Sequence, residues 1–252
     1  MVGLAASIVR TQIESALANR IPGALTFRPA IEPETISFGI PELDQRLVGI
    51  MRGCLTEICG PASSGRTTLM LSAMREVTQR GECCALVDAS SAFDPYSGAA
   101  NGVKLKNLFV VRCAAPHPKL TPVDKALHAV DMIVSNGGFG LVVLDLGDIR
   151  PQLAQRIPLH HWYRFRRAVE STNSCLVVVE QQPFAKSCAA QVITLQSCDS
   201  EWATARNQVE GPKLLTGIQY VAEVTRSRAA FSQRKPPGSA GTQYRIATPW
   251  AG

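Results

Sequence analysis

The segment from Gly60 to Thr67 has the residue types and the spacing of a loop that binds a phosphate group. It reads GPASSGRT and matches the pattern GxxxxGK[ST] except at Arg66, which stands where the pattern has lysine. Such a loop needs glycines that let backbone N–H groups turn toward the phosphate, a helix N-terminus, a cation, and a hydroxyl group for magnesium. The candidate nucleotide-binding residues of this segment are Gly60, Pro61, Ser63, Ser64, Gly65, Arg66, Thr67 and Thr68. The alternative is a glycine–serine turn that matches the phosphate-loop pattern by chance. The strand predicted before this segment and the helix predicted after it argue against that alternative.

Apolar strands alternate with helices on both sides of this loop. The apolar stretch CLTEICG leads into it and a helix that ends at Gly81 follows it, which is the context that a phosphate loop requires. Further strands are predicted for CCALVDAS, NLFVVRC, LVVLDLGD and CLVVVEQQ, and further helices for PVDKALHAVDMIVSNGG and LHHWYRFRRAVESTN. This order predicts an α/β fold with a twisted, mostly parallel sheet flanked by helices. QVITLQ, GIQYVAEVTRSR and TQYRIAT alternate apolar and polar residues, which predicts antiparallel C-terminal edge strands.

The composition is that of a folded chain with a mild positive charge. Of the 252 residues 46% are hydrophobic, which is enough for a sizeable core, and the formal net charge is +6. This charge permits an acidic partner such as nucleic acid without indicating one. The eight cysteines show no CxxC pair and no histidine at metal-ligand spacing, which favours reduced thiols. Arg10 and Glu14 interrupt the apolar N-terminus, so we expect no signal peptide, no membrane span and a cytoplasmic location.

The pattern divides the chain into three parts. Residues 1–35 are predicted to form an arm, with apolar residues on one face of a short helix and a proline-rich linker after it. Residues 36–230 contain the alternating strands and helices of the main domain. Residues 231–252 contain a basic loop followed by the last edge strand.

Five stretches of the main domain occur in a specific order. They are SFGIPELDQRLVG, GPASSGRTT, LVDASSAFDP, LVVLDL and VVVEQQ. In this order they resemble the ATPase core of bacterial RecA, and the resemblance covers most of residues 36–228. The third stretch is the most specific, because RecA has an Asp-Ala-Glu-His-Ala-Leu-Asp-Pro run there. The residues that match this run are Asp88, Ala89, Ala92, Asp94 and Pro95. The resemblance implies that residues 36–230 form a RecA-like core.

The resemblance also implies roles for single residues, and two positions depart from it. Asp145 stands where the family's Walker B acid holds magnesium through water, so Thr67 and Asp145 would be the magnesium residues if ATP binds. Gln181 stands where the family senses the γ-phosphate. Ser90 replaces the family's water-activating glutamate, and a neutral hydroxyl is a poor general base. Arg66 keeps a charge but is bulkier and planar, so it does not reproduce the compact charge of lysine. We therefore expect ATP hydrolysis to be weak or lost.

Two groups of arginines are candidate contacts with phosphates. Arg226 and Arg228 resemble the pair of lysines that reach a neighbour's nucleotide in RecA filaments, and a solvated edge strand is an equal alternative. Arg164, Arg166 and Arg167 lie among aromatic residues in HHWYRFRR, a combination that can bind DNA by stacking and by charge. The favoured alternative there is a helix that packs its aromatic face in the core. The second DNA-binding loop of RecA corresponds only to PFAKSCAA, so DNA binding is expected to be weak or indirect.

Three functions from different classes remain open. The altered catalytic positions and the short second loop are similar to those of the ImuA group, RecA-like accessory proteins of the SOS response and of damage-induced mutagenesis. That likeness implies a scaffold in translesion synthesis, with an ImuB-like Y-family polymerase homologue, an error-prone polymerase complex and RecA as partners. The alternative is a DNA-dependent ATPase or recombinase, in which Asp88 or Glu180 would replace the missing base. A second alternative is a SulA-like cell-division inhibitor, which the preserved phosphate loop argues against.

Overall fold

The computed structural model describes residues 34–47, 49–203, 214–227 and 241–247. All of them lie within one structural unit, Pro33–Gly252. The predicted N-terminal helix, almost all of the linker after it, the basic loop and Arg228 lie outside the described residues.

An eight-stranded sheet forms the centre of the described structure. Its strands are β3 (Leu55–Cys59), β4 (Cys84–Asp88), β5 (Leu108–Arg112), β6 (Leu141–Asp145), β7 (Cys175–Glu180), β8 (Gln191–Ala203), β9 (Leu214–Ser227) and β10 (Thr242–Ala247). They are arranged in the order β10-β9-β8-β3-β7-β6-β4-β5. The pairs from β8 to β5 are parallel, and β8, β9 and β10 pair antiparallel. The predicted α/β fold with a mostly parallel sheet and antiparallel C-terminal edge strands is therefore confirmed.

Helices cover both faces of this sheet, which explains why every residue of β3, β4 and β7 is buried. The helices are α1 (Pro41–Asp44), α2 (Arg66–Gln79), α3 (Pro95–Ala100), α4 (Pro122–Asn136), α5 (Pro151–Ala154) and α6 (Leu159–Glu170). One core cluster contains the buried residues of α2, and the other contains those of α4 and α6. None of the helices in the described part of the chain is both long and apolar enough to cross a membrane.

Several short elements were not predicted from the sequence. They are α1, α3, α5, two single 3-10 turns (Leu105–Asn107 and Lys186–Cys188), and the two-stranded antiparallel sheet of β1 (Thr35–Ile36) and β2 (Ile50–Met51). Segments of two to six residues are too short to show a helical or strand period, so their sequences carry no clear signal.

Helix α4 begins and ends where the sequence indicates. Pro122 occupies the first turn, where a missing N–H group costs nothing. The hydroxyl of Thr121 accepts from the Asp124 N–H (3.1 Å), and the Asp124 carboxylate accepts from the Thr121 N–H (2.9 Å). This capping box satisfies two N–H groups that the helix leaves free, and Gly137 ends the helix with a φ of 68°. Local chemistry therefore fixes the limits of this helix.

Strand β8 differs from its predicted form in length and in pairing. Residues 191–194 pair parallel with β3, and the strand then continues to Ala203 against β9 alone. The sequence predicted only QVITLQ, because the residues that follow, 197–200, are polar or small and exposed. With no buried face, this extension shows no alternation of apolar and polar residues. Its pairing is supported by the Glu201 carboxylate, which accepts hydrogen bonds from Gln219 (3.0 Å) and Arg245 (2.8 Å).

Helix α6 packs its aromatic residues into the core. Trp162 and Phe165 are 1% and 0% exposed, and their rings meet edge to face with centroids 6.1 Å apart. Tyr163 on the other side of the helix is 48% exposed. The two buried rings are therefore unavailable for stacking with nucleic-acid bases, which agrees with the favoured alternative for this stretch.

We predict that Phe165→Ala lowers the free energy of unfolding by about 3–5 kcal/mol, because it removes a fully buried ring from the core. The control Tyr163→Ala should cost less than about 1 kcal/mol, since this side chain is half exposed. Urea denaturation of both variants measures the difference. Equal losses for the two variants would contradict the assignment of Phe165 to the core.

Candidate functional site

The phosphate-loop segment connects the C-terminal end of β3 to the N-terminus of α2. Strand β3 ends at Cys59 and α2 begins at Arg66, so the free N–H groups of the first helical turn lie at the loop. The hydroxyl group of Ser64 is buried and has no hydrogen-bond partner among the described residues. A bound oxyanion would satisfy such a group, since buried polar atoms are normally hydrogen-bonded. The residues present therefore fit a phosphate group.

Two glycines allow close contacts around this loop. A Cβ atom on Gly60 would lie 2.4 Å from the carbonyl oxygen of Leu195 and 2.5 Å from the hydroxyl oxygen of Ser64. Gly65 has a φ of 90°, and a Cβ atom there would lie 3.0 Å from the ring of Tyr220. The antiparallel strands β8 and β9 therefore form a wall beside the loop. The sequence motif explains the need for the glycines but did not indicate which strands approach them.

The other predicted residues of the loop are more open. Pro61, Ser63 and Thr67 are exposed, and Thr68 is half-buried. Ser63 has a φ of 61°, a left-handed conformation that helps turn the loop. The exposed hydroxyl of Thr67, in the first turn of α2, is the group that the motif assigns to magnesium.

Arg66 is turned toward the loop that follows β6. Arg66 is only 8% exposed, and its Nη1 donates to the carbonyl oxygen of Gly147 (3.2 Å). The side chain of Gln181 donates to the same oxygen (3.2 Å) and to the carbonyl oxygen of Ile149 (3.3 Å). The cation of the phosphate loop and the predicted sensor residue thus share one acceptor. Gln181 would have to give up one of its two bonds in order to donate to a phosphate, whereas Arg66 has further N–H groups besides the one bonded to Gly147.

Asp145 lies at the end of β6, opposite Asp88 at the end of β4. Its Oδ1 accepts a hydrogen bond from the N–H group of Gly147 (2.8 Å). Burial is the main reason why the pKa of Asp145 is raised to about 6, and the negative charges of Asp88 and Asp148 raise it further. The hydrogen bond from Gly147 and the positive charge of Arg66 act in the opposite direction and lower this pKa. The carboxylate is therefore held at an energetic cost, which a nearby cation such as magnesium would reduce.

Ser90 is placed beside a carboxylate that already has partners. The Ser90 hydroxyl donates to Oδ1 of Asp88 (3.3 Å), and Oδ2 of Asp88 accepts from the N–H group of Phe93 (2.8 Å). Asp88 is fully buried, so in this conformation it orders the turn after β4. An acid that is enclosed and hydrogen-bonded in this way is poorly placed to activate a water molecule.

Glu180, the other acid considered as a base, is also enclosed. It is 1% exposed, and its pKa is raised well above the ordinary value by burial and by the neighbouring Glu57 carboxyl group. This environment favours the protonated acid, which cannot accept a proton from water. Glu57 did not stand out in the sequence analysis, because it lies inside an apolar strand and belongs to no catalytic motif.

The candidate DNA-binding arginines mostly have partners within the protein. Arg164 pairs with Asp131 of α4, and Arg166 pairs with Glu170 of its own helix (2.6 Å). Arg167 is exposed on α6. The ion-pair partners of Arg164 and Arg166 lie on α4 and α6, away from the phosphate loop.

The arginine proposed to reach a neighbour's nucleotide is likewise engaged. Arg226 on β9 donates to the carbonyl oxygen of Lys186 in the turn before β8. This contact joins the antiparallel part of the sheet to the loop that follows β7. The contact of Arg226 with a nucleotide in a neighbouring subunit stays a prediction.

The strand, glycine loop and helix, with an acid at the end of a nearby strand, define an α/β protein of the phosphate-loop class. Comparison with known families makes this assignment more specific. Residues 10–152 match the model of the RecA N-terminal domain, which is more than half of the chain. The chain therefore belongs to the RecA N-terminal domain family.

Individual relatives agree with this family. The chain is 32% identical over 167 residues to the RecA protein of Rhizobium leguminosarum bv. trifolii, a match that covers 60% of this chain and 44% of the relative. It is 30% identical over 168 residues to the RecA protein of Blastochloris viridis, covering 60% of this chain and 46% of the relative. The match thus spans less than half the length of these relatives.

We predict that Asp145→Asn stabilises the protein at pH 8 when magnesium is chelated. The pKa of Asp145 is higher in the folded protein, about 6, than the ordinary value of 3.8, so the wild type loses stability as the pH rises from 3.8 to about 6. The asparagine variant lacks this loss, and its free energy of unfolding at pH 8 should be roughly 1–3 kcal/mol higher.

The exposed neighbour Asp148 provides the control for this measurement. Asp148→Asn should change the free energy of unfolding by less than about 0.5 kcal/mol. Urea denaturation at pH 4 and pH 8 should show that the gain of the Asp145 variant is present at pH 8 and nearly absent at pH 4. A less stable Asp145→Asn variant at pH 8 would show that the ionised carboxylate contributes more than its burial costs.

Proposed function

We propose that this protein is an accessory protein of the DNA damage response, similar to the ImuA group. In this proposal its RecA-like core is an interaction scaffold for an error-prone polymerase complex in translesion synthesis. The observation that carries the proposal is that Ser90 occupies the position of the general base, while Asp88 and Glu180, the two acids considered as replacements, are both buried in the described structure.

Hydrolysis of ATP requires a group that orients the attacking water and removes its proton. General-base catalysis contributes roughly 10² to 10⁴ in rate. Ser90 has no carboxylate, Asp88 is hydrogen-bonded to Phe93 and Ser90, and Glu180 is enclosed, with its pKa raised by burial. These contacts support a core that keeps the architecture of an ATPase with weak or no turnover.

In this proposal the protein still binds ATP and magnesium, without hydrolysing ATP appreciably. The free N–H groups of the loop, the unpartnered Ser64 hydroxyl and the Arg66 guanidinium are the groups that would hold the phosphates. Thr67 and Asp145 are the groups that would hold magnesium. A bound magnesium nucleotide would supply negative charge to the loop and a positive charge next to Asp145. Arg66 and Gln181 would then have a reason to leave Gly147, so nucleotide binding would loosen the loop after β6.

The partners follow from the likeness to the ImuA group. They are a Y-family polymerase homologue similar to ImuB, an error-prone polymerase complex and RecA itself, all in the cytoplasm. The internal ion pairs of Arg164 and Arg166 support weak or indirect DNA binding, since each cation already faces a carboxylate.

A DNA-dependent ATPase or recombinase of the RecA family is the second candidate. The observation that favours it is the complete glycine framework of the loop together with Asp145 at the end of β6. A SulA-like inhibitor of cell division has less support, because such a role gives no reason to keep this framework.

Calorimetric titration of ATP and ADP with magnesium, followed by a hydrolysis assay on the same sample, separates these candidates. We expect nucleotide binding without appreciable turnover, with or without single-stranded DNA. The purified protein should also bind a purified Y-family polymerase homologue from the same organism in a pull-down. Turnover that single-stranded DNA stimulates would favour the recombinase. Absence of polymerase binding would remove the scaffold role.

We predict that the double variant Arg66→Lys with Ser90→Glu gains ATP hydrolysis. It restores a compact cation at the phosphates and a carboxylate at the position of the base, and the rate should rise by roughly 10² to 10⁴. The control is Arg66→Lys with Ser90→Gln, which has the same size without a base and should stay inactive. A steady-state phosphate-release assay measures all three proteins. Equal rates for the wild type and the glutamate variant would show that Ser90 does not limit turnover.

A further inference from the structure

Glu57 holds the loop that follows β7, residues 181–190, which we call the second loop. Its Oε1 accepts hydrogen bonds from the N–H groups of Phe184 (2.7 Å) and Ala185 (2.6 Å). Glu57 is fully buried in the middle of β3, the strand that leads into the phosphate loop. Two short bonds to one oxygen are typical of an ionised acceptor. One carboxylate thus joins the strand before the phosphate loop to the second loop.

Glu180 is the last residue of β7 and lies next to Glu57. The N–H group of Phe184 lies within reach of Oε1 of both carboxyl groups, 2.7 Å from Glu57 and 3.4 Å from Glu180, and Glu180 is only 1% exposed. The Oε2 atom of each group receives no hydrogen bond from an N–H or hydroxyl group of the described residues. A carboxyl proton is the remaining donor available to these atoms. Two buried carboxyl groups in contact are stable when they carry one negative charge between them, because two charges would repel each other in a medium of low polarity.

The surroundings contain too little positive charge for two ionised acids. The ionisable groups that face the pair from the packed elements of the described structure are Cys59 of β3 and Arg66 of α2. Cys59 is neutral, since burial and the two acids raise the pKa of its thiol. Arg66 already donates to Gly147.

The second loop adds one buried ionisable side chain, the thiol of Cys188, which is 0% exposed. The buried residues of α6, which packs on β3 and β7, are Trp162, Phe165 and Val169, and all are apolar. Gln191 at the start of β8 is neutral and bonded to Thr56 (3.4 Å). In the second loop, Lys186 is exposed to solvent.

We propose that Glu57 and Glu180 share one proton, that this pair fixes the second loop to β3, and that loss of the proton releases the loop. Glu57 is the ionised member that holds the Phe184 and Ala185 N–H groups, and Glu180 is the acid that donates to it. Both residues are positioning residues for the second loop. The proposal does not depend on the scaffold function, because it concerns a contact within this chain.

The proposal has a defined pH dependence. Opening of the second loop lets water reach both carboxyl groups, so the open form gives up the shared proton to solvent more easily than the closed form. The closed form therefore binds more protons, and opening becomes more favourable as the pH rises above the ordinary value of a glutamate, 4.5. The opening equilibrium constant should rise by up to about tenfold per pH unit until the closed pair also ionises.

Hydrogen exchange of the Phe184 and Ala185 amides in the full-length protein tests this proposal. After correction for the intrinsic rate at each pH, their protection in the wild type should fall by up to about tenfold per pH unit above pH 5. In Glu180→Gln the amide group donates to Glu57 permanently, so protection should no longer depend on pH. The amide of Leu144 in β6 reports global unfolding, and Glu42→Gln, at an exposed position, is the matched control that should behave as the wild type.

A second variant separates the two roles within the pair. Glu57→Gln replaces the ionised acceptor with a neutral one, and protection of the two amides should be lower at pH 5 than in the wild type. Protection in the wild type that is independent of pH from 5 to 9 would overturn the proposal, even if neither variant folds. So would a Glu180→Gln variant that keeps the pH slope of the wild type. A matching slope at Leu144 would assign the effect to global unfolding and also overturn it.

Discussion

Four buried or half-buried carboxyl groups near the C-terminal ends of the parallel strands fix the loops that form the candidate site. They are Glu57, Asp88, Asp145 and Glu180. A carboxyl group enclosed by a sheet that helices cover on both faces must receive hydrogen bonds or keep its proton. All four accept a backbone N–H group of a loop, and Glu180, whose bond is the longest at 3.4 Å, also lies next to the Glu57 carboxyl group. The cost of burying acids is thus offset by bonds that order the turns beyond the strands.

The same bonds limit the chemistry of the site. An acid that holds a loop and is closed off from water is not available to take a proton from a water molecule. Ser90, at the position of a general base in the RecA resemblance, donates to Asp88 and adds to the order of the turn. The bonds that anchor the loops are thus the same bonds that enclose the acids of the site.

The carbonyl oxygen of Gly147 connects the parts of the site that could respond to a ligand. It accepts from Arg66 of the phosphate loop and from Gln181 at the start of the second loop. Lysine has a compact charge on a flexible stem, whereas arginine carries a planar fork that reaches a distant acceptor while keeping its charge. The substitution at position 66 thus gives the phosphate loop a direct contact with the loop after β6. The contact favours the conformation in which these loops are joined.

The sequence by itself determined the elements whose signals are local. The phosphate loop, the order of strands and helices, the limits of α4 and the buried face of α6 were predicted from motifs and periodicity, and the structure contains them. The tertiary structure alone decided the contacts across the sheet: the pairing of Glu57 with Glu180, the bond from Arg66 to Gly147, and the wall that Tyr220 forms beside Gly65. Glu57 and Phe184 are 127 residues apart in the chain, and only the parallel pairing of β3 with β7 brings them together. Periodicity reports which face of an element is buried, whereas strand order and register determine which buried groups meet.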